Sequence, residues 1–361
     1  MSRMSGEILM VGSISLPSAD EVFRTSAKYV GPYVSCLPDG EGGARALWIG
    51  YLARDVYDGH PDIETLQRLP ESRAWSAPEP SNKWRFRVKP GVKQPRLKTG
   101  YADFALESYA SFKSLRAQGV IAKHVRFQVC LPSSGSAFIT YFENPSDWPA
   151  MTAAYEDAFR RDIEQLLTAI PADDLVIQID ICPELRDILH ALPWSPRREG
   201  KFEEVIGAVS RLAAFVPDKT LLGLHWCYGT LGGWPMVRIE NLDLCTRLTN
   251  ASVRNLRRQV DYVHMPVLRH VGDDYFAPLR ELAIGGDTRL YLGLLHHTDG
   301  LEGFRERMAI ARRHVQADFG VASVCGYGRL SADDTRRAFE IHRDAGAALK
   351  AVDTSAQRAK V

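Results

Sequence analysis

In the run LLGLHWCYGTLGG (221–233) a histidine and a cysteine stand two apart at the end of an apolar, β-prone stretch. Side chains alternate along a strand, so His225 and Cys227 project to the same side. Imidazole and thiolate form a borderline-soft donor pair that suits zinc, and the glycines that follow let the backbone turn away sharply. A second β-prone run, GVASVC (320–325), ends in Cys325 and is followed by the flexible GYGR. Taken alone, His225 and Cys227 read better as buried core, because free cysteine is among the most buried residue types and a lone histidine is often structural. Together the three gain weight, since a closed barrel brings its strand ends to one mouth.

The fourth coordination position stays open between His264, inside VDYVHMPV (260–267) on the next strand, and His296 and His297, which close RLYLGLL (289–295). His264 is favoured as the ligand, with His296 and His297 as acid–base candidates; a three-ligand site would leave a position for water or substrate, as catalytic zinc requires. Carboxylates form a second group. Asp180 terminates DLVIQID (174–180), where a charge is poorly placed for packing and well placed for a ligand cation or proton transfer, while Asp39 and Glu41 lie in CLPDGEGGAR (36–45), which also reads as a solvated turn. Trp226, Tyr228, Trp234 and Tyr327 stand beside the proposed metal ligands. Their flat faces suit an aromatic or pterin-like ligand, although alternation points Trp226 away from the metal.

These residues need elements to carry them. Eight short apolar runs, 7–13, 33–38, 124–131, 174–181, 221–227, 260–267, 289–295 and 320–325, alternate with longer segments of helical spacing at 150–170, 202–216, 302–315 and 333–352. Parallel strands covered by helices give this pattern, and eight of them match an α/β fold of the (β/α)8 TIM type. One barrel over 1–361 is the expected domain. Residues 57–100, rich in Pro, Ser and basic residues and holding the β-like KWRFRVK, read as an insertion bearing a hairpin near the barrel mouth.

Composition narrows the partners. Lys plus Arg number 45 against 44 Asp plus Glu, so no net field recruits nucleic acid or an anionic membrane, and a small molecule is the expected partner. The six cysteines show no short repeated spacing, which fits a reducing cytoplasm better than a disulfide framework. No apolar stretch approaches the ~20 residues of a membrane span. A soluble, cytoplasmic protein is expected; the sequence leaves an oligomer open.

Four motifs in order resemble the uroporphyrinogen decarboxylase and cobalamin-independent methionine synthase superfamily, above all the zinc-binding catalytic half of the synthase. VGSISLP (11–17) is similar to that family's first-strand "IGSFP", IQID with PELR (177–186) to "IQIDEPALRE", LHWCY to "HxCY", and VCGYG to its final "CG". The resemblance spans the chain apart from 57–100. It implies zinc ligands at His225, Cys227 and Cys325, substrate contacts at Ser13 and Asp180, and a zinc-dependent alkyl (methyl) transferase in which the metal activates a thiol nucleophile. A folate (pterin) methyl carrier is a second expected cofactor. Two departures stand out: the family's zinc-ligating Glu is absent, with His264 in VHMPV as the candidate substitute, and Ile181 and Cys182 replace the Glu of "IDEP". The alternative is a zinc-dependent lyase, hydrolase or decarboxylase acting on a small aromatic or carboxylated substrate through a metal-bound oxygen. A metal-free decarboxylating barrel would instead need arginines at the mouth, for which Arg45, Arg269 and Arg329 are candidates.

Overall fold

The computed structural model describes residues 4–69, 83–230 and 234–358, with side chains omitted at Leu47 and beyond Ala351. Its strands are β1 (Ile8–Leu9), β2 (Cys36–Pro38), β3 (Ile63–Gln67), β4 (Arg85–Val88), β5 (Arg126–Pro132), β6 (Leu175–Ile181), β7 (Leu221–Trp226), β8 (Tyr262–Pro266), β9 (Arg289–Leu295) and β10 (Gly320–Ser323). Eight of them form one parallel sheet in the order β1-β10-β9-β8-β7-β6-β5-β2. Between β1 and β2 the sheet closes without a ladder. Ser5 N–H donates to Ser35 Oγ at 3.2 Å, Ile14 N–H donates to the Gly40 carbonyl at 2.9 Å, and Gly6 lies so close that a Cβ would stand 2.8 Å from Ser35 N and the Tyr33 carbonyl. The result is a nearly closed (β/α)8 barrel, as the eight apolar runs predict.

Every residue of β6, β7 and β8 is buried, the pattern of strands covered on both faces. Helices Trp148–Ala169, Lys201–Ala213, Gly300–Ala311 and Ala332–Arg358 occupy the segments whose spacing predicts them. Helices Ala19–Val30, Tyr101–Ala117 and Asp243–Asn255 complete the shell. Inside the barrel, Tyr262 donates its hydroxyl to Gln178 Oε1 at 2.9 Å, and Gln178 Nε2 donates to the Val11 carbonyl at 2.7 Å and to Asp180 Oδ1 at 2.8 Å. Gly223 makes room for this layer, since a Cβ there would overlap the Tyr262 ring.

The 57–100 region carries the expected hairpin, β3 antiparallel to β4. Phe86 donates its N–H to the Tyr141 carbonyl at 3.0 Å and packs its ring against Tyr57 and Phe142, centroids 5.6 and 5.7 Å away. The hairpin is thereby fixed to the segment leaving the C-terminal end of β5. Residues 70–82 of the region lie outside the described residues.

Candidate metal centre

The parallel register sets Asp180, His225 and His264 side by side on β6, β7 and β8, all turned into the barrel at the C-terminal ends of the strands. His264 Nε2 lies 2.9 Å from the Ser323 carbonyl, and its Nδ1 lies 2.7 Å from Nδ1 of His225. A carbonyl only accepts, so His264 carries its proton on Nε2 and accepts at Nδ1. His225 must then donate from Nδ1, which leaves the lone pair on its Nε2. Burial holds both rings neutral, His264 down to about 3 and His225 below its ordinary value.

His225 belongs to a cluster in which one of its ring nitrogens and the sulfurs of Cys227 and Cys325 all lie within 4.8 Å of one another. The two sulfurs are 3.7 Å apart. Two thiolates at 2.3 Å from one tetrahedral zinc would be ~3.8 Å apart, so the pair is already at ligand spacing. Gly229, at φ +82°, turns the chain back so that its N–H reaches Cys227 Sγ at 3.3 Å. Ser323 Oγ donates to the Cys325 carbonyl at 2.6 Å and holds the other turn. Neighbouring thiols and burial push both cysteines well up: Cys182 beside Cys227, and Cys227 beside Cys325. Neutral thiols and a neutral imidazole turned to one point suit a dication, which restores the thiolates. His264 stands outside this cluster with both nitrogens engaged. In this structure it holds the His225 ring in place, where the sequence reading favoured it as a fourth member of the cluster.

A cavity of about 40 Å³ joins this cluster to a carboxylate pair. Glu41 and Asp180 reach the cavity together with Ser13, Trp48, Cys182 and Arg329. Ligand oxygens of Glu41 and Asp180 and the sulfur of Cys130 lie within 4.8 Å of one another. Burial, offset in part by Arg45, raises Glu41 to about 7; burial and then the charge of Glu41 raise Asp180 well above the carboxylate range. Glu41 and Trp48 adopt left-handed backbone conformations, φ 52° and 54°, and are two of only three described non-glycine residues that do so. Such strain concentrates where a fold holds a side chain for function.

A larger cavity of about 590 Å³ opens along the exits of β8, β9 and β10. Trp234, Tyr327, His296 and His297 line it, as do Arg269 and Arg329. It shares Thr230, Cys325, Gly326 and Arg329 with the inner cavity. His296 and His297 are therefore outer-cavity residues and do not reach the inner one. His296 Nε2 donates to the Val267 carbonyl at 3.0 Å, and burial lowers the ring to about 4.

Several expected substrate contacts lie elsewhere. Asp39 lines neither cavity: it pairs with Arg45 at 2.5 Å and accepts the Glu41 N–H at 3.0 Å, so both Asp39 and Arg45 prop the loop that presents Glu41. Trp226 donates to Thr249 Oγ1 at 2.8 Å, and the Tyr228 hydroxyl meets Cys245 Sγ at 3.2 Å. Both rings point outward to helix Asp243–Asn255, because odd and even positions of a strand face opposite ways. Trp48 lines the inner cavity and His342 the outer one, and the sequence reading singled out neither. Alternation from Asp180 could have found Cys182; nothing in the local pattern marks Trp48.

No known family model matches the chain, and no curated protein sequence matches it either. Among solved structures, a B12-independent methionine synthase from Shewanella sp. W3-18-1 in complex with selenomethionine is similar at a TM-score of 0.62 and 14% identity, over 96% of this chain and 99% of that one. A protein from Listeria monocytogenes assigned as a vitamin-B12-independent methionine synthase is similar at a TM-score of 0.55 and 12% identity, over 94% of this chain and 96% of that one. The chain thus has the barrel fold of cobalamin-independent methionine synthase structures, end to end, as the motif resemblance implies.

Proposed function

We propose that the chain is a zinc-dependent alkyl transferase, with methyl the simplest group moved, that activates an amino thiol in the inner cavity. The observation that carries this reading is the pair of sulfurs 3.7 Å apart beside an imidazole whose free nitrogen is set by a hydrogen-bond relay. His225, Cys227 and Cys325 would hold zinc, and the bound ion would supply the positive charge that lowers a thiol's pKa from ~8.5 toward neutrality.

The chain's own groups do the remaining work. Glu41 and Asp180, both raised by burial, would be drawn toward their charged forms by an ammonium group entering between them. The narrow cavity would bring that ammonium and the sulfur into one space and leave little room for bulk water. The Shewanella structure supports the reading, since its ligand is an amino acid bearing a methylated selenium. For the lyase or hydrolase alternative, the histidines the sequence offers as acid or base, His264, His296 and His297, do not line the inner cavity, which leaves Glu41 and Asp180 for that role.

A cobalt-loaded protein tests this directly. Homocysteine is expected to increase the near-ultraviolet sulfur-to-cobalt absorption, and Asp180→Asn to weaken it about tenfold while sparing 3-mercaptopropanol, which lacks the amino group. No spectral change with any thiol, or equal losses for both, contradicts the reading.

A further inference from the structure

We infer that the outer cavity is a binding site for a flat, part-apolar carboxylate, an aromatic acid, and that this class of ligand, in place of a pterin, occupies it. Its lining has two halves. Trp234, Pro235, Leu268, Leu330 and Ile341 give an apolar wall, while Arg269 and Arg329 stand exposed at the opening. Among the described lining residues there is no Asp, Glu, Asn or Gln. Asp299, whose carboxylate feels the charge of Arg269, is held in a two-pronged pair by Arg307 at 2.6 and 3.0 Å.

Two of the four lining histidines have ring nitrogens committed to the protein, and His270 Nε2 accepts from Arg269 Nε at 2.9 Å. His296 gives its Nε2 proton to the Val267 carbonyl, and His342 donates Nδ1–H to the Ala338 carbonyl at 2.7 Å while Nε2 accepts from the Tyr327 hydroxyl. A pterin presents two adjacent N–H donors on its pyrimidine edge and needs a carboxylate or carboxamide opposite them. This wall offers cations and ring faces, which match a carboxylate gripped by guanidinium and an aromatic body on Trp234. A volume of about 590 Å³ holds such a molecule with room to spare.

Cys325 and Arg329 line both cavities, so a ligand held by Arg329 abuts the thiol pocket. Its role as carrier of the alkyl group rests on the transferase reading. In that role the alkyl carbon bonds to sulfur, the electron pair of the broken bond stays with the carboxylate-bearing fragment, and that fragment takes up the proton the thiol lost.

The test is calorimetric titration with 2-naphthoate, 2-naphthamide and unsubstituted pterin. Naphthoate is expected to bind at least about tenfold more tightly than either neutral probe, and Arg269→Gln and Arg329→Gln each to cost it about tenfold. Equal binding of acid and amide, tighter binding of pterin, or indifference to both arginine variants would overturn the assignment. The same titration on Cys227→Ser separates this site from the metal: retained naphthoate binding is expected, and its loss would remove the ligand from the outer cavity.

Discussion

His264 marks the point where this chain departs from the family it resembles. Its place on the strand after His-x-Cys was legible in the sequence, and a histidine there reads naturally as a ligand. The structure gives it a different place: Nε2 meets the Ser323 carbonyl and Nδ1 meets His225. Partners of this kind fix the tautomer and orientation of a ligating histidine, and losing one costs 10- to 100-fold in metal affinity. His264→Phe is therefore expected to fold and to release zinc to a chromophoric chelator about 10- to 100-fold more readily; wild-type retention would contradict the relay. His225, Cys227 and Cys325 were legible because strand alternation and barrel geometry are enough to bring them together. Trp48 was not, because its position depends on a left-handed turn that no local pattern announces.

At the scale of elements, the eight barrel strands could be read from the sequence because strands buried on both faces appear as continuous apolar runs. Helix Asp243–Asn255 escaped because its buried face mixes Thr246, Thr249 and Ser252 with Cys245, Leu248 and Ala251, so the segment reads as polar. Helix Tyr101–Ala117 hides Ala102, Ala105 and Ser108 in the same way. Helix Ala19–Val30 did carry a signal, a Ser18 cap accepting from the Glu21 N–H at 3.2 Å with Asp20 and Glu21 in the first turn. One glycine bears on the barrel as a whole. Gly223→Ala would drive a methyl into the Tyr262 ring and dislodge its hydrogen bond to Gln178. A loss of about 3 kcal/mol in urea unfolding is expected; a change below about 0.5 kcal/mol, the range of neutral substitutions, would mean that the interior layer repacks freely.

For the whole molecule, no described helix is long and apolar enough to cross a membrane, and stability should depend on keeping interior histidines neutral. His342 is 1% exposed, and burial lowers it from 6.5 to about 4. Between those values the unfolded chain binds a proton that the folded chain refuses, so stability falls as pH drops through this window, by roughly 3 kcal/mol at pH 4 from this one group. His264 and His296 act with the same sign. Urea unfolding at pH 7, 5.5 and 4 should show the decline, and His342→Gln should flatten it; an unchanged slope in the variant would contradict the assignment. The most direct measurement is the metal content of the purified protein beside Cys227→Ser and Cys325→Ser, with circular dichroism to confirm folding. About one zinc per chain, as a single tetrahedral site requires, lost from both variants with the barrel intact, is the expected result. A zinc-free wild type that does not take up added zinc, or zinc retained in both variants, would contradict a metal centre at His225, Cys227 and Cys325.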